Sequence, residues 1–292
     1  MSRRYFKQNK IAIIYDFDGT LSPQPMQEYT VLHKLEVPPK EFWKEVKKIT
    51  KETSSDEMLV YMRLLFDKSN EKKIHIGKSD LKKLATNIKY FNGVESWFDR
   101  INNYVKNESQ KRSNRVKLFH YLISAGLKEI LDGISIKKYF ERVYASEYIF
   151  DHHDVAIFPK LLVTGTSKTQ FLFRINKGKE NLNESINEHM PEELRPIPFS
   201  NIIYIGDGLT DVPCMTVTMQ NGGNAIAVYK KGSKKGIEVC KELLKAERVR
   251  FIAPADYSRD SSLDKNVRIL LRSIITNIDY QREIFRCKIK HN

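Results

Sequence analysis

Two aspartates, Asp16 and Asp18, stand one residue apart where the apolar run IAIIY (11–15) breaks into Gly19 and Thr20. Alternate residues of an extended chain share a face, so both carboxylates can reach one ligand. A second acidic pair, Asp207 and Asp211, lies in GDGLTD, with Gly208 between them, directly after the apolar segment NIIYI. Ser124 closes a third apolar stretch, FHYLI, and Lys168 stands in TGTSKTQFLF. Four carboxylates in one crevice, left unpaired, would have raised pKa values and resist ionisation. A hard divalent cation removes that conflict, and Mg²⁺ prefers a few carboxylates together with waters and phosphate oxygens. The Ser124 hydroxyl and a nearby lysine can hold phosphoryl oxygens. Metal-assisted phosphoryl chemistry is therefore the expectation from these residue types.

Such residues are far apart in the chain and need a scaffold that brings them together. Residues 11–15 are apolar and β-branched, as in a strand buried on both faces of a parallel sheet. Further strands are expected at 117–123, 201–205, 225–229 and 249–253, and short strands within 141–163 are joined by the polar turn Asp151-His152-His153-Asp154. Helices are expected from about Thr166, over 233–247 and over 262–286. Alternation of strands and helices predicts an α/β fold, a doubly wound parallel sheet whose ligand lies beyond the carboxyl ends of its strands. Ser124 and Asp207 follow Asp16 by 108 and 191 residues, and strand ends of this kind bring them to one edge.

Between these signals, residues 23–112 are rich in Lys, Glu and Leu. Apolar residues recur there at helical spacing: Phe42, Val46, Ile49; Met58, Tyr61, Leu64, Leu65; Leu81, Leu84, Ile88; then a helix from Val94 to Val105. The expected organisation is a core of residues 1–22 and 113–292 with an all-helical insertion at 23–112.

D-F-D-G-T after an apolar strand resembles motif I of the haloacid dehalogenase (HAD) superfamily, Ser124 resembles motif II, and G-D-G-L-T-D resembles motif IV. The lysine of motif III is matched by Lys168, with Lys177 as the competing choice. The resemblance spans the core in order and implies a Rossmann-like HAD fold with a helical C1-type cap, phosphoserine-phosphatase-like in flavour. It further implies Asp16 as nucleophile, forming an aspartyl-phosphate, and Asp18 as general acid and base. Mg²⁺ would be held by Asp16, Asp207 and the Asp18 backbone carbonyl. Ser124 and Lys168 would bind the phosphoryl group, with Asp211, Gly19, Thr20 and Gly208 in support. A second aspartate at position 18 argues against dehalogenation, in which the halide needs no proton. Pro23-Gln24-Pro25 stands where the phosphoserine phosphatases carry a substrate-reading acid.

The function expected is a Mg²⁺-dependent phosphatase acting on a small phosphorylated metabolite. A phosphomutase with the same chemistry and a non-catalytic nucleic-acid-associated module are the alternatives. The net charge of +14 bears on the latter. Residues 23–112 hold 18 Lys/Arg against 13 Asp/Glu, and 228–250 hold 8 against 3, so the excess is spread along the chain and mixed with acid. That fits a generally basic surface better than a nucleic-acid platform. No run of ~18 apolar residues is present for a membrane span. The basic start MSRRYFKQNK is followed by too short an apolar run for a secretion signal. Cys214, Cys240 and Cys287 have no paired spacing, which points to a reduced, cytoplasmic setting. His152 and His153 are expected in a surface loop, and TGTSKT lacks the glycine that a P-loop needs at position 167.

Overall fold

The computed structural model describes residues 6–111 and 116–290. The basic residues 1–5 and the expected boundary at 112/113 lie outside the described residues. The chain opens with β1 (Lys10–Tyr15), followed by α1 (Met26–Tyr29), α2 (Val31–Lys34), α3 (Pro39–Thr53), α4 (Glu57–Glu71), α5 (Lys78–Leu84) and α6 (Val94–Lys111). Next come β2 (Lys117–Leu127), α7 (Lys128–Leu131), β3 (Phe140–Phe150), β4 (Ala156–Leu161) and α8 (Lys168–Lys177). The second half alternates: β5 (Ile202–Gly206), α9 (Val212–Gln220), β6 (Asn224–Tyr229), α10 (Lys234–Lys245), β7 (Phe251–Pro254) and α11 (Ser262–Lys290).

The seven strands form one sheet in the order β4-β3-β2-β1-β5-β6-β7. All neighbours run parallel except β4, which pairs antiparallel with β3 at the edge. From β1 the chain builds outward through β2 and β3, then returns to add β5, β6 and β7 on the other side. The switch point between β1 and β5 is where an open α/β sheet leaves a crevice.

Burial along the central strands follows the two-residue period of a pleated sheet. Ile11, Ile13 and Tyr15 enter one hydrophobic cluster with α6 and α11, whereas Ala12 and Ile14 enter the other with α8, α9 and α10. Ile203 and Ile205 face the first layer, and Ile202 and Tyr204 the second. All of these side chains are fully buried, each contributing roughly 1.5–3 kcal/mol if large and apolar. A one-residue slip would exchange the two faces, so the register that sets Asp16 beyond Tyr15 is fixed by packing.

The helical stretch between β1 and β2 divides by what it packs against. α3 packs on α4, with the Trp43 and Tyr61 rings 5.9 Å apart, and α5 packs on α7. Asp56 caps α4, its carboxylate accepting from the Met58 and Leu59 N–H groups. α6 instead lies on the sheet: it packs on β2 and α11, and Trp97 Nε1 donates to the Tyr15 hydroxyl at 2.8 Å. Tyr15 in turn meets His120 Nδ1 at 3.0 Å, and His120 Nε2 meets Asn102 Oδ1 at 3.1 Å. Burial pushes the His120 pKa down to about 3, so the ring is neutral, accepting from Tyr15 and donating to Asn102.

α1–α5 are docked on the core by hydrogen bonds as well as apolar contact. The Tyr61 hydroxyl donates to the Ala125 carbonyl (3.1 Å), and the Tyr148 hydroxyl to that of Met62 (2.7 Å). Lys78 N–H donates to Asp154 in the β3–β4 turn, where His152 and His153 also lie. Among the described residues no helix is long and apolar enough to cross a membrane.

Candidate active site

Asp16 follows the last residue of β1, and its N–H donates to the Ile205 carbonyl on β5 (2.9 Å). This bond ties the tip of β1 to the strand that delivers Asp207. The turn after Asp16 is tight: Thr20, Leu21 and Ser22 all donate to the Phe17 carbonyl, and Gly19 N–H donates to that of Ser22. Gly19 has φ +81°, and a Cβ there would stand 2.0 Å from Asp207 Oδ2. Glycine at 19 is thus required twice, by the left-handed backbone and by the approach of a carboxylate.

The carboxylates of Asp16, Asp207 and Asp211 offer oxygens that lie within 4.8 Å of one another. Lys168, the first residue of α8, reaches them from the second sheet face. Its Nζ stands 2.6 Å from Asp16 Oδ1 and 2.8 Å from Asp211 Oδ1, and it is 1% exposed. Asp211 accepts further from the Tyr204 hydroxyl (2.7 Å) and the Asp207 N–H (3.2 Å). It therefore orients both the lysine and the Asp207 backbone. Asp18 is partly exposed, and its Oδ1 accepts from the Met26 N–H at the start of α1 (2.8 Å).

Ser124 is buried on β2, beside β1, and its Oγ accepts from the Gly126 N–H at 3.0 Å. The register Tyr15↔Leu122 carries it to the same sheet edge as Asp16. Thr20 is buried with no partner for its Oγ1, and its carbonyl accepts from the Tyr257 hydroxyl (3.0 Å). Gly208 is extended, and a Cβ there would meet nothing within 4 Å. Lys177 is elsewhere: its Nζ donates to the carbonyls of Ile186 and Glu188.

The electrostatics reflect crowded acid with one cation. Burial, then the Asp211 charge, drives the Asp16 pKa up, opposed by Lys168. Burial, then Asp16 and Asp211, raises Asp207, and burial followed by Asp16 raises Asp18. Burial alone would depress Lys168, but the Asp16 and Asp211 carboxylates overcome it and keep the ammonium charged. Removing this lysine would leave buried carboxylates uncompensated, a destabilisation of about 3–5 kcal/mol. One ammonium cannot neutralise three converging acids, and the Asp207 carboxylate is cradled against Gly19. This donor set suits a hard divalent cation with oxygen ligands.

Sequence reasoning missed Tyr204, which reads as one more apolar residue of β5, yet its hydroxyl meets Asp211. Tyr257, a candidate site residue in ADYS just beyond the end of β7, has its hydroxyl on the Thr20 carbonyl. A separate, mostly apolar cavity of ≈350 Å³ lies between α4, α5 and the β3–β4 hairpin. It contains none of these acids.

The geometry defines a doubly wound α/β architecture with an acidic, lysine-braced switch point. Residues 13–216 match the family model of haloacid dehalogenase-like hydrolases, and the chain belongs to that family. An uncharacterised protein of Borreliella burgdorferi is 30% identical over 287 residues, covering 88% of this chain and 95% of that protein. Among solved structures, a HAD family hydrolase of Salmonella enterica serovar Typhi superposes with a TM-score of 0.57 at 13% identity, covering 91% of this chain and 72% of that one. A phosphoserine phosphatase with a phospho-aspartyl intermediate analogue has a TM-score of 0.53 at 17% identity, with 89% and 98% covered. These two structural likenesses speak to the fold.

Proposed function

We propose that the protein is a Mg²⁺-dependent phosphomonoesterase that hydrolyses a small phosphorylated metabolite through an aspartyl-phosphate, with α1–α5 as the cap over its site. The observation that carries this reading is the convergence of Asp16, Asp207 and Asp211 on one point, with Lys168 bridging the first and last. Asp16 and Asp207, with the Asp18 backbone carbonyl, would hold Mg²⁺, which when bound neutralises the phosphoryl oxygens.

The rest of the chemistry belongs to the chain. Lys168 fixes one oxygen of Asp16 and leaves the other without an ammonium partner. Asp16 attacks phosphorus, forming the P–O bond of an aspartyl-phosphate as the ester P–O bond breaks. The departing alkoxide takes the proton of Asp18 and leaves as an alcohol. Asp18 then removes a proton from water, whose oxygen attacks the phosphorus of the intermediate, releasing inorganic phosphate and restoring Asp16. Ser124 and Lys168 bind phosphoryl oxygens in both steps. The cap, seated through Tyr61, Tyr148 and Lys78, keeps bulk water out between them.

The test is phosphate release from p-nitrophenyl phosphate and a metabolite panel, with and without Mg²⁺. Turnover is expected only with the metal, and Asp16→Asn should abolish it in a variant that melts like the parent. Retained turnover in that variant would remove Asp16 as nucleophile.

A further inference from the structure

The ≈350 Å³ cavity has walls from two sides of the molecule. α2, α4 and α5 supply Val31, Leu65 and Leu81, and the sheet supplies Leu127 and Tyr148. All five belong to one buried cluster, yet their packing leaves the space between them unfilled. Protein interiors are close-packed, and apolar walls that face a void forfeit dispersion contacts. The volume falls within the roughly 300–1,000 Å³ of small-molecule sites.

The free polar groups come from one stretch, the end of α4 and the segment leading to α5. No acid lines the cavity, and its basic side chains are Lys73 and His75. Among the described residues neither the Lys73 ammonium nor the His75 ring has a hydrogen-bond or ion-pair partner. The Tyr148 hydroxyl, by contrast, is already spent on the Met62 carbonyl. The turn at Lys73 is a defined helix ending. Lys73 N–H donates to the Asn70 carbonyl (3.1 Å), Ile74 N–H donates to that of Ser69 (3.0 Å), and Lys73 takes φ +54°. That left-handed position is ordinarily glycine. Glycine at 73 would therefore remove the charge and keep the turn.

We propose that this cavity binds a small amphiphilic carboxylate, an aliphatic acid of about eight carbons. Its chain lies among Leu65, Leu81 and Leu127, and its carboxylate meets Lys73 and His75. A sugar or nucleotide would leave hydroxyls without partners against the apolar walls, and the basic end selects an acid over an amine. Bound there, the ligand fastens α4 and α5 to the sheet. The inference is independent of the phosphatase reading, since no residue assigned to that chemistry lines the cavity.

The experiment measures binding of octanoate, hexanoate, octanol and octylamine to the full-length chain by calorimetry, beside thermal melts. Octanoate should bind one molecule per chain and raise the melting temperature. It should bind about tenfold more tightly than hexanoate, because two more methylenes are buried. Its margin over octanol should be about fivefold, as for an exposed ion pair, and octylamine should bind least. Lys73→Gly should erase the margin over octanol, in a protein that melts no lower than the parent. Ala156→Trp and Val155→Trp each fill the cavity from the β3–β4 hairpin and should abolish octanoate binding. Octanoate that does not saturate, or that binds both filled variants as well as the parent, overturns the proposal. So does octanoate binding no tighter than hexanoate or octylamine, or a margin over octanol that survives Lys73→Gly.

Discussion

Gly19→Ala tests whether the crowding at the switch point is functional. The added Cβ would stand 2.0 Å from Asp207 Oδ2 and 2.4 Å from its Cγ. Side-chain carbons do not approach so closely, and a separation of 3.0 Å requires Asp207 to withdraw by about 1 Å. It cannot withdraw toward Asp16 or Asp211, whose charges already oppose its ionisation. The backbone adds its own term: φ +81° suits glycine and disfavours alanine by roughly 1–2 kcal/mol. A chain of this size should then melt a few degrees lower, while retaining its core.

The effect on catalysis should be larger than the effect on stability. A carboxylate displaced by about 1 Å from a metal and phosphate site can cost on the order of 10²-fold in rate. The assay is a Mg²⁺ titration of p-nitrophenyl phosphate hydrolysis beside a thermal melt. The expected outcome is a kcat reduced by about that factor and a higher Mg²⁺ requirement. Gly208→Ala, whose Cβ meets nothing within 4 Å, should lose much less. A folded Gly19→Ala protein with parental kcat and parental Mg²⁺ dependence would refute Asp207 as part of the working site.

Met26→Pro asks whether the α1 N–H on Asp18 matters. Position 26 opens α1 and follows Pro25 at ψ 133°, where proline fits the backbone. Measured against Met26→Leu, which keeps the N–H, kcat should fall about tenfold for one lost charge-assisted bond; equal kcat values would dismiss the contact. Glu129→Gln concerns stability. Burial pushes this carboxyl up to about 7 from 4.5, although its Oε1 accepts from the Tyr148 N–H at 2.8 Å. The native state therefore keeps a proton that the unfolded chain releases between about pH 4.5 and 7, and native stability falls as pH rises through that window. The variant should be more stable than wild type at pH 8, by at most ~3 kcal/mol, and the gap should shrink toward pH 5. A gap in urea denaturation that does not change with pH would exclude an ionised Glu129 as its source.

What could be read from the chain and what could not follow from a physical distinction. Asp16, Asp207 and Ser124 end apolar runs, and a parallel sheet sends such ends to one edge whatever the loops between them do. Contacts that depend on turn geometry carry no such signal: Tyr204 reads as one more strand residue in NIIYIG, yet its hydroxyl meets Asp211 at 2.7 Å. α6 has the same apolar period as α3 and α4, and amphipathicity does not say which partner a stripe will cover. The contacts of α6 with β2 and α11, and Trp97 reaching Tyr15, do. The choice between Lys168 and Lys177 is instructive because helix geometry narrows it. They are nine residues apart, and at 3.6 residues per turn they point to opposite sides of α8. One can face the sheet edge, and the other must serve something else. Lys168 reaches Asp16. Lys177 holds the carbonyls of Ile186 and Glu188, while Arg174, one turn earlier, holds those of Lys179, Asn181, Leu182 and Glu184. The long segment before β5 is thus fastened to the far side of the helix that carries Lys168. Lys168 and Asp207 stand 39 residues apart in the chain, and the segment between them is anchored away from the sheet edge where the two side chains converge.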